Sequence, residues 1–138
     1  MKNMQAYFDS EFIRISYNET TSVVVNAWKT PPSSDEFKIG MENLLEAIKH
    51  FKIGKILSDT TYMGAIHPDD QHWTATDWYH RAAKVGFSHN AIVVPPDVFT
   101  EMSVKEILDQ IENTSVTTSF FQTVEDATAW IQQFILYI

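Results

Sequence analysis

The densest group of chemically capable side chains lies in the middle of the chain. Between positions 67 and 80 the sequence places three imidazoles and three carboxylates, namely His67, Asp69, Asp70, His72, Asp77 and His80. On a helix Asp69, His72 and His80 can share one face, where imidazole and carboxylate ligands could hold zinc. The spacing matches no established zinc signature, and acidic groups at a helix start are equally explained by capping and by the helix dipole. We therefore expect no metal and no cofactor, and keep Asp69, His72 and His80 as weak candidate ligands.

A single carboxylate follows a buried-type strand. Asp59 stands after Lys55 to Ser58, at the carboxyl end, where open α/β sheets place their ligands. A catalytic role would need a neighbour such as His67 to shift the pKa of Asp59. In the simpler interpretation Asp59 accepts hydrogen bonds from turn amides.

Large apolar side chains surround the same segment of the chain. They could line a pocket beneath the loop that follows the third predicted strand, they could fill the core, or they could anchor a protein interface. The candidate ligand-binding residues are accordingly Asp59, Tyr62, Met63, His67, Trp73 and Trp78, and Trp28 is a further residue that could line the pocket.

Common catalytic motifs are absent from the sequence. The four glycines are isolated and form neither GxGxxG nor GxxxxGK[ST], which disfavours nucleotide hydrolysis. There is no cysteine, and no serine lies in a GxSxG elbow, so nucleophilic catalysis is also disfavoured. We expect no catalytic residue.

Composition narrows the class of protein. A chain of 138 residues is expected to form one domain, 1–138, at about 100 to 200 residues per domain. The formal net charge of −8 repels nucleic-acid phosphates and anionic lipids. No apolar run approaches the roughly 18 residues of a membrane span, and the lack of cysteine fits a reducing compartment. We expect a cytoplasmic protein that binds no nucleic acid and does not insert into a membrane.

Five strands and four helices are predicted around these residues. The strands are runs rich in β-branched and aromatic residues: Phe12 to Tyr17, Ser22 to Trp28, Lys55 to Ser58, Asn90 to Val94 and Val116 to Phe121. The helices are expected to begin at the capping box Ser33–Glu36, near Pro68, at a second capping box Ser103–Glu106, and at Thr123.

The order β-β-α-β-α-β-α-β-α predicts an α/β fold. It is a mixed, mostly parallel five-stranded sheet with an N-terminal hairpin and about four helices. The apolar tail Phe134 to Ile138 is interpreted as the buried end of the last helix. The alternative is an exposed tail that, like the hairpin edge, would serve as a homodimer contact.

Several stretches resemble SpoIIAA-like proteins of the STAS group, over most of the chain. They are the segment Trp28 to Pro32 leading into Ser33–Phe37, the strand Lys55–Asp59, and Asp70 to Trp73. The resemblance implies an SpoIIAA-like fold and a regulatory role as a partner of anti-sigma factors. Relatives of that kind carry a phosphorylatable serine after the third strand. The matching stretch here, Tyr62 to Asp70, contains no serine or threonine, so we do not expect that switch to carry over.

Three hypotheses for function follow from the sequence. The leading one is a non-enzymatic regulatory or scaffold module that binds another protein. The alternative is a carrier of a small apolar ligand or lipid, built on the aromatic residues around Tyr62, Trp73 and Trp78. An enzyme centred on Asp59 and His67 is the third.

Overall fold

Six strands form one sheet in the part of the chain that the computed structural model describes, residues 4–111 and 115–134. Neighbours in the sheet are also neighbours in sequence. The strands are β1 Met4–Asp9, β2 Ile13–Asn18, β3 Val23–Trp28, β4 Lys55–Asp59, β5 His89–Val93 and β6 Thr117–Phe121. The predicted α/β class is confirmed.

The strand count and the degree of parallelism differ from the prediction. Strands β1, β2 and β3 pair antiparallel as a three-stranded meander, and β3 to β6 pair parallel. The predicted hairpin is the β2–β3 pair, with Ile13 opposite Trp28. Strand β1 was missed because Met4–Asp9 is an edge strand without the alternation of buried and exposed residues that predicts a half-buried strand. A count of five strands was therefore wrong, and the sheet is less parallel than expected.

Helices cover both faces of this sheet. They are α1 Ser34–Phe51, α2 Pro68–Trp73, a π-helical turn Thr74–Trp78, α3 Tyr79–Lys84, α4 Val98–Gln110 and α5 Val124–Ile131. Residues from α1, the α2–α3 segment and α4 pack with Ile13, Ile15, Val24 and Ile56 on one side, which we call the three-helix face. On the other side, α5 packs with Val23 and Leu57. None of the helices within the described ranges has the length and apolarity that crossing a membrane requires.

Local signals account well for α1. Ser33 accepts from the backbone of Glu36, and the Glu36 side chain accepts from the backbone of Ser33, which is the predicted capping box. The predicted apolar stripe is buried: Phe37, Met41, Leu44, Leu45 and Ile48. The sequence-predicted start of a helix near Pro68 and the Thr123 cap are confirmed as well.

The start of α4 was predicted too late. Asp97, directly after Pro95 and Pro96, caps the helix by accepting from the Phe99 backbone at 3.0 Å. Ser103 lies inside the helix instead, and its hydroxyl accepts from the Ile66 backbone at 3.0 Å. The Ser103–Glu106 spacing therefore reflects a tertiary contact and not a cap. The predicted contact of the C-terminal tail falls mostly on 135–138, outside the described residues.

The environment of His89, on the side of the sheet that α5 covers, predicts that the stability of the fold depends on pH. His89 lies with its ring centroid 4.1 Å from that of Phe134, and burial together with the Lys55 charge lowers the pKa of His89 below its usual 6.5. Below pH 6.5 the unfolded chain therefore binds a proton at His89 more readily than the folded chain does. The free energy of unfolding decreases as the pH falls from 6.5 to the lowered pKa of the folded state. Urea unfolding of His89→Gln and wild type at pH 7.5 and 5 checks this. The variant is expected to lose less stability on acidification, and equal losses would contradict the assignment.

Candidate functional site

On the three-helix face, an internal cavity of about 60 Å³ lies between the covering helices and strands β3, β4 and β5. Its lining is mainly apolar and comes from the sheet and from each covering segment, including Trp28, Phe37, Met63, Trp78 and Val104. Asn26, Ser58, Asn90 and Tyr79 line it too, although all but Ser58 are buried. The cavity therefore has a mainly apolar lining and one polar side.

The polar side of the cavity is formed by a line of hydrogen bonds that crosses three strands, which we call the polar ladder. Asn26 Nδ2 donates to Ser58 Oγ at 2.9 Å, Ser58 Oγ donates to Asn90 Oδ1 at 3.0 Å, and Asn90 Nδ2 donates to the Tyr79 hydroxyl at 3.3 Å. Parallel pairing of β3 with β4 and of β4 with β5 brings these side chains together. Each member donates to the next, so the ladder has a direction.

A directed ladder leaves opposite groups at its two ends. Among the described residues, no group donates to the amide oxygen of Asn26, and no group accepts the hydroxyl proton of Tyr79. Every fully enclosed side-chain nitrogen or oxygen in the described part of the chain has a partner. The Asn26 oxygen therefore borders space wide enough for a water molecule, and Asn26 lines the cavity.

A π-helical turn covers the cavity. π-helical turns are rare and occur frequently at functional sites. Thr74 and Trp78, its first and last residues, both line the cavity. Trp78 Nε1 donates to the Met41 carbonyl of α1 at 2.7 Å, which holds the turn against α1. Arg81, in the following helix, pairs with Glu42 and Asp77, and these bonds raise the pKa of its guanidinium group.

A groove on the surface adjoins the cavity. It has a volume of about 380 Å³ and is bordered by Pro32, Ala65, His67, Asp69 and Asp70 among others. Three side chains line both spaces, and we call them the wall: Phe37, Met63 and Ile66. The groove and the cavity thus share an apolar boundary at these three side chains.

Only some of the residues that the sequence singled out line the cavity or the groove. Met63 and Trp78 line the cavity, and His67 borders the groove. Asp59, Tyr62 and Trp73 line neither space. Tyr62 is 67% exposed, and Trp73 packs edge-on against Phe37.

The polar residues of the predicted site make local bonds. Asp59 accepts from the backbone of Thr61 at 3.0 Å and also from its hydroxyl, as the simpler interpretation predicted. His67 caps α2 by accepting from the Asp69 backbone at 3.1 Å. No hydrogen bond joins Asp59 to His67 within residues 4–111 and 115–134.

The metal candidates do not converge. The Nδ1 atom of His72 lies 3.4 Å from Oε1 of Gln110, and Asp69 and His80 are exposed. In the described ranges, no three histidine, aspartate or glutamate side chains are grouped so that they could hold a metal ion.

Sequence reasoning missed all four members of the polar ladder as site residues. A signal was present, because Asn26 is the one polar residue of β3, and Ser58 and Asn90 adjoin the apolar runs of β4 and β5. A buried polar side chain is costly without a partner, so three of them in neighbouring strands indicate a shared network.

The cavity offers hydrogen bonds and dispersion contacts but no charge. Its lining contains no carboxylate, imidazole, ammonium or guanidinium group from the described residues. Burial raises the pKa of Tyr79 to about 12, so its phenol is neutral at physiological pH. Comparison of the chain with protein-family models, with curated proteins and with solved structures finds no match.

Proposed function

We propose that the protein binds a small, largely apolar molecule in the cavity beneath the π-helical turn. The observation that carries this proposal is the polar ladder, which ends at Asn26, a residue that lines the cavity and whose amide oxygen has no donor among the described residues. A molecule in the cavity would gain dispersion contacts from the apolar lining and a hydrogen bond from the ladder. This arrangement of an apolar enclosure with few polar groups is typical of small-molecule sites.

The energetics of the core support the proposal. Polar side chains in a sheet interior cost free energy unless they are hydrogen-bonded, and apolar residues of similar shape would serve packing equally well. Here the ladder satisfies its internal members, but among the described residues it leaves the Asn26 oxygen without a donor and the Tyr79 hydroxyl proton without an acceptor. Ligand binding would account for these two groups at the ends of the ladder, whereas packing alone does not.

The size of the cavity limits the ligand. A volume of about 60 Å³ exceeds the roughly 10 to 15 Å³ that one water needs and is below the roughly 150 Å³ of an engineered cavity that binds benzene. The enclosed part of the ligand is therefore smaller than benzene. A four-carbon molecule such as butan-1-ol is about as large as benzene, so its end would extend past the wall into the groove, where the flexible Met63 side chain can move aside most easily.

Tryptophan signals provide a direct test. Trp28 and Trp78 line the cavity, whereas Trp73 and Trp130 do not. We expect titration with butan-1-ol and butan-2-one to shift the indole N–H NMR signals of the first pair and to leave those of the second unchanged. Five non-hydrogen atoms give at most about 7 kcal/mol of binding free energy, so dissociation constants fall in the micromolar to millimolar range.

A cavity-filling substitution separates specific from general effects. Val104→Phe adds a ring to the cavity lining, and Val124→Phe makes the same change at an exposed position of α5. We expect the first to abolish the indole shifts and the second to keep them. Where Val104→Phe is poorly folded, Val104→Leu is expected to weaken the shifts. Absence of shifts in wild type, or their persistence in both Val104 variants, would refute the proposal.

A further inference from the structure

We infer that the ligand of this cavity is uncharged and carries a hydrogen-bond donor, an alcohol being the simplest member of the class. This inference rests on the proposed function. It names the chemistry that the polar ladder selects, and it depends on two features of the lining, its lack of charge and the direction of its hydrogen bonds.

The first feature excludes ionised ligands. No charged side chain among the described residues lines the cavity, so a carboxylate or an ammonium group entering it would lose its hydration without gaining a counterion. The buried carboxylate of Asp70 borders the groove and not the cavity, and its Oδ1 accepts from Ser34 at 2.7 Å. An ionised head group is therefore expected to bind at least 100-fold more weakly than a neutral one of equal size.

The second feature selects a donor. The Asn26 Nδ2 group donates to Ser58 and to the Leu57 carbonyl, whereas no residue in the described part of the chain donates to its Oδ1 atom, which is left as an acceptor. A hydroxyl group can donate to this oxygen, whereas a ketone cannot. At the Tyr79 end no described residue accepts the hydroxyl proton, which either an alcohol or a ketone can accept. An alcohol thus suits both ends of the ladder, and a ketone suits one.

Four probes with the same carbon number test the inference on the wild-type protein. They are butan-1-ol, butan-2-one, butanoate and butylammonium, titrated at pH 7 with the Trp28 and Trp78 indole signals as readout. We expect butan-1-ol to bind about fivefold to tenfold more tightly than butan-2-one, the worth of one ordinary hydrogen bond. We expect the two ions to cause no shift at concentrations that saturate the alcohol.

The possible failures are distinguishable. If none of the four probes shifts the two signals, the proposed function is wrong. If the probes bind but an ion competes equally, or the ketone equals the alcohol, the cavity is a binding site and the inference about its ligand is wrong.

Substitutions at the two ends of the ladder locate the preference. Asn26→Leu removes the free oxygen and is expected to abolish the difference between alcohol and ketone while butan-2-one still binds. Tyr79→Phe removes a hydroxyl at the opposite end and is the matched control, in which the alcohol keeps its advantage. Asn26→Ala, which also has no side-chain acceptor, replaces the leucine variant if the latter does not fold. An undiminished preference for the alcohol in the folded Asn26 variant would overturn the assignment to this residue.

Discussion

Replacing Gly54 with alanine is expected to destabilise the fold by roughly 3 kcal/mol or more. A Cβ atom at this position would lie 1.9 Å from the Gly86 carbonyl oxygen and 2.9 Å from its carbonyl carbon. The backbone cannot easily retreat, because the Gly54 carbonyl accepts from the Ser88 and His89 amides at 2.9 and 3.1 Å. These bonds join the start of β4 to the start of β5, so the strain falls on the strands that carry Ser58 and Asn90.

The other glycine of this contact provides the control. A Cβ atom on Gly86 meets nothing within 4 Å, but the residue has φ of +110°, which an L-residue rarely adopts. Gly86→Ala is therefore expected to cost about 1 to 2 kcal/mol from backbone strain alone. Urea unfolding of both variants measures the difference. A Gly54→Ala protein within 1 kcal/mol of wild type would show that the close approach of the two segments is dispensable.

Elements with strong local signals were predictable, and elements without them were not. The capping box and apolar stripe of α1 lie within one segment, so no distant contact is needed to recognise them. Strand β1 depends on its pairing with β2, including a bulge between Ala6 and Phe8, and its own residues carry no alternating pattern. Ser103 shows the converse, because its hydroxyl looked like a local cap and is used by the distant Ile66 backbone.

The candidate site was only partly predictable for the same reason. Met63 and Trp78 could be recognised as large apolar residues near the loop after β4, and both line the cavity. Asn26, Ser58 and Asn90 follow one another at intervals of 32 residues, and only the parallel register of the sheet brings them into one hydrogen-bonded line. Their shared role is a property of the sheet and not of any one segment.

The earlier hypotheses about partners and catalysis stay predictions. Asp59 and His67, the proposed catalytic pair, each make a local turn or cap bond. The regulatory role implied by the resemblance to SpoIIAA-like proteins, with its protein partner, is tested by a pull-down under native salt. A homodimer is tested by sedimentation.

The other large effect is expected at Trp78, a residue of the π-helical turn that lines the cavity. Trp78 is 1% exposed, packs edge-on against Tyr79 and Phe87, and donates to Met41. Trp78→Ala is expected to cost about 3 to 5 kcal/mol, because the cavity enlarges and the dispersion contacts of the indole are lost. Trp78→Phe, which keeps a ring but loses the hydrogen bond, is expected to cost less.

Added indole should restore part of this loss, because the space left in Trp78→Ala has the shape of the missing side chain. At ten times its dissociation constant, indole is expected to stabilise Trp78→Ala by about 1.4 kcal/mol, measured by urea unfolding with and without the compound. Trp130→Ala is the matched control, since Trp130 lies in α5, on the other side of the sheet. Its side chain is half-buried and packs against Phe121 and Phe134. Equal stabilisation of both variants would mean that indole acts elsewhere. Stabilisation of Trp78→Ala alone would place a ligand-sized space beside the polar ladder, because Trp78 and Asn26 line the same cavity.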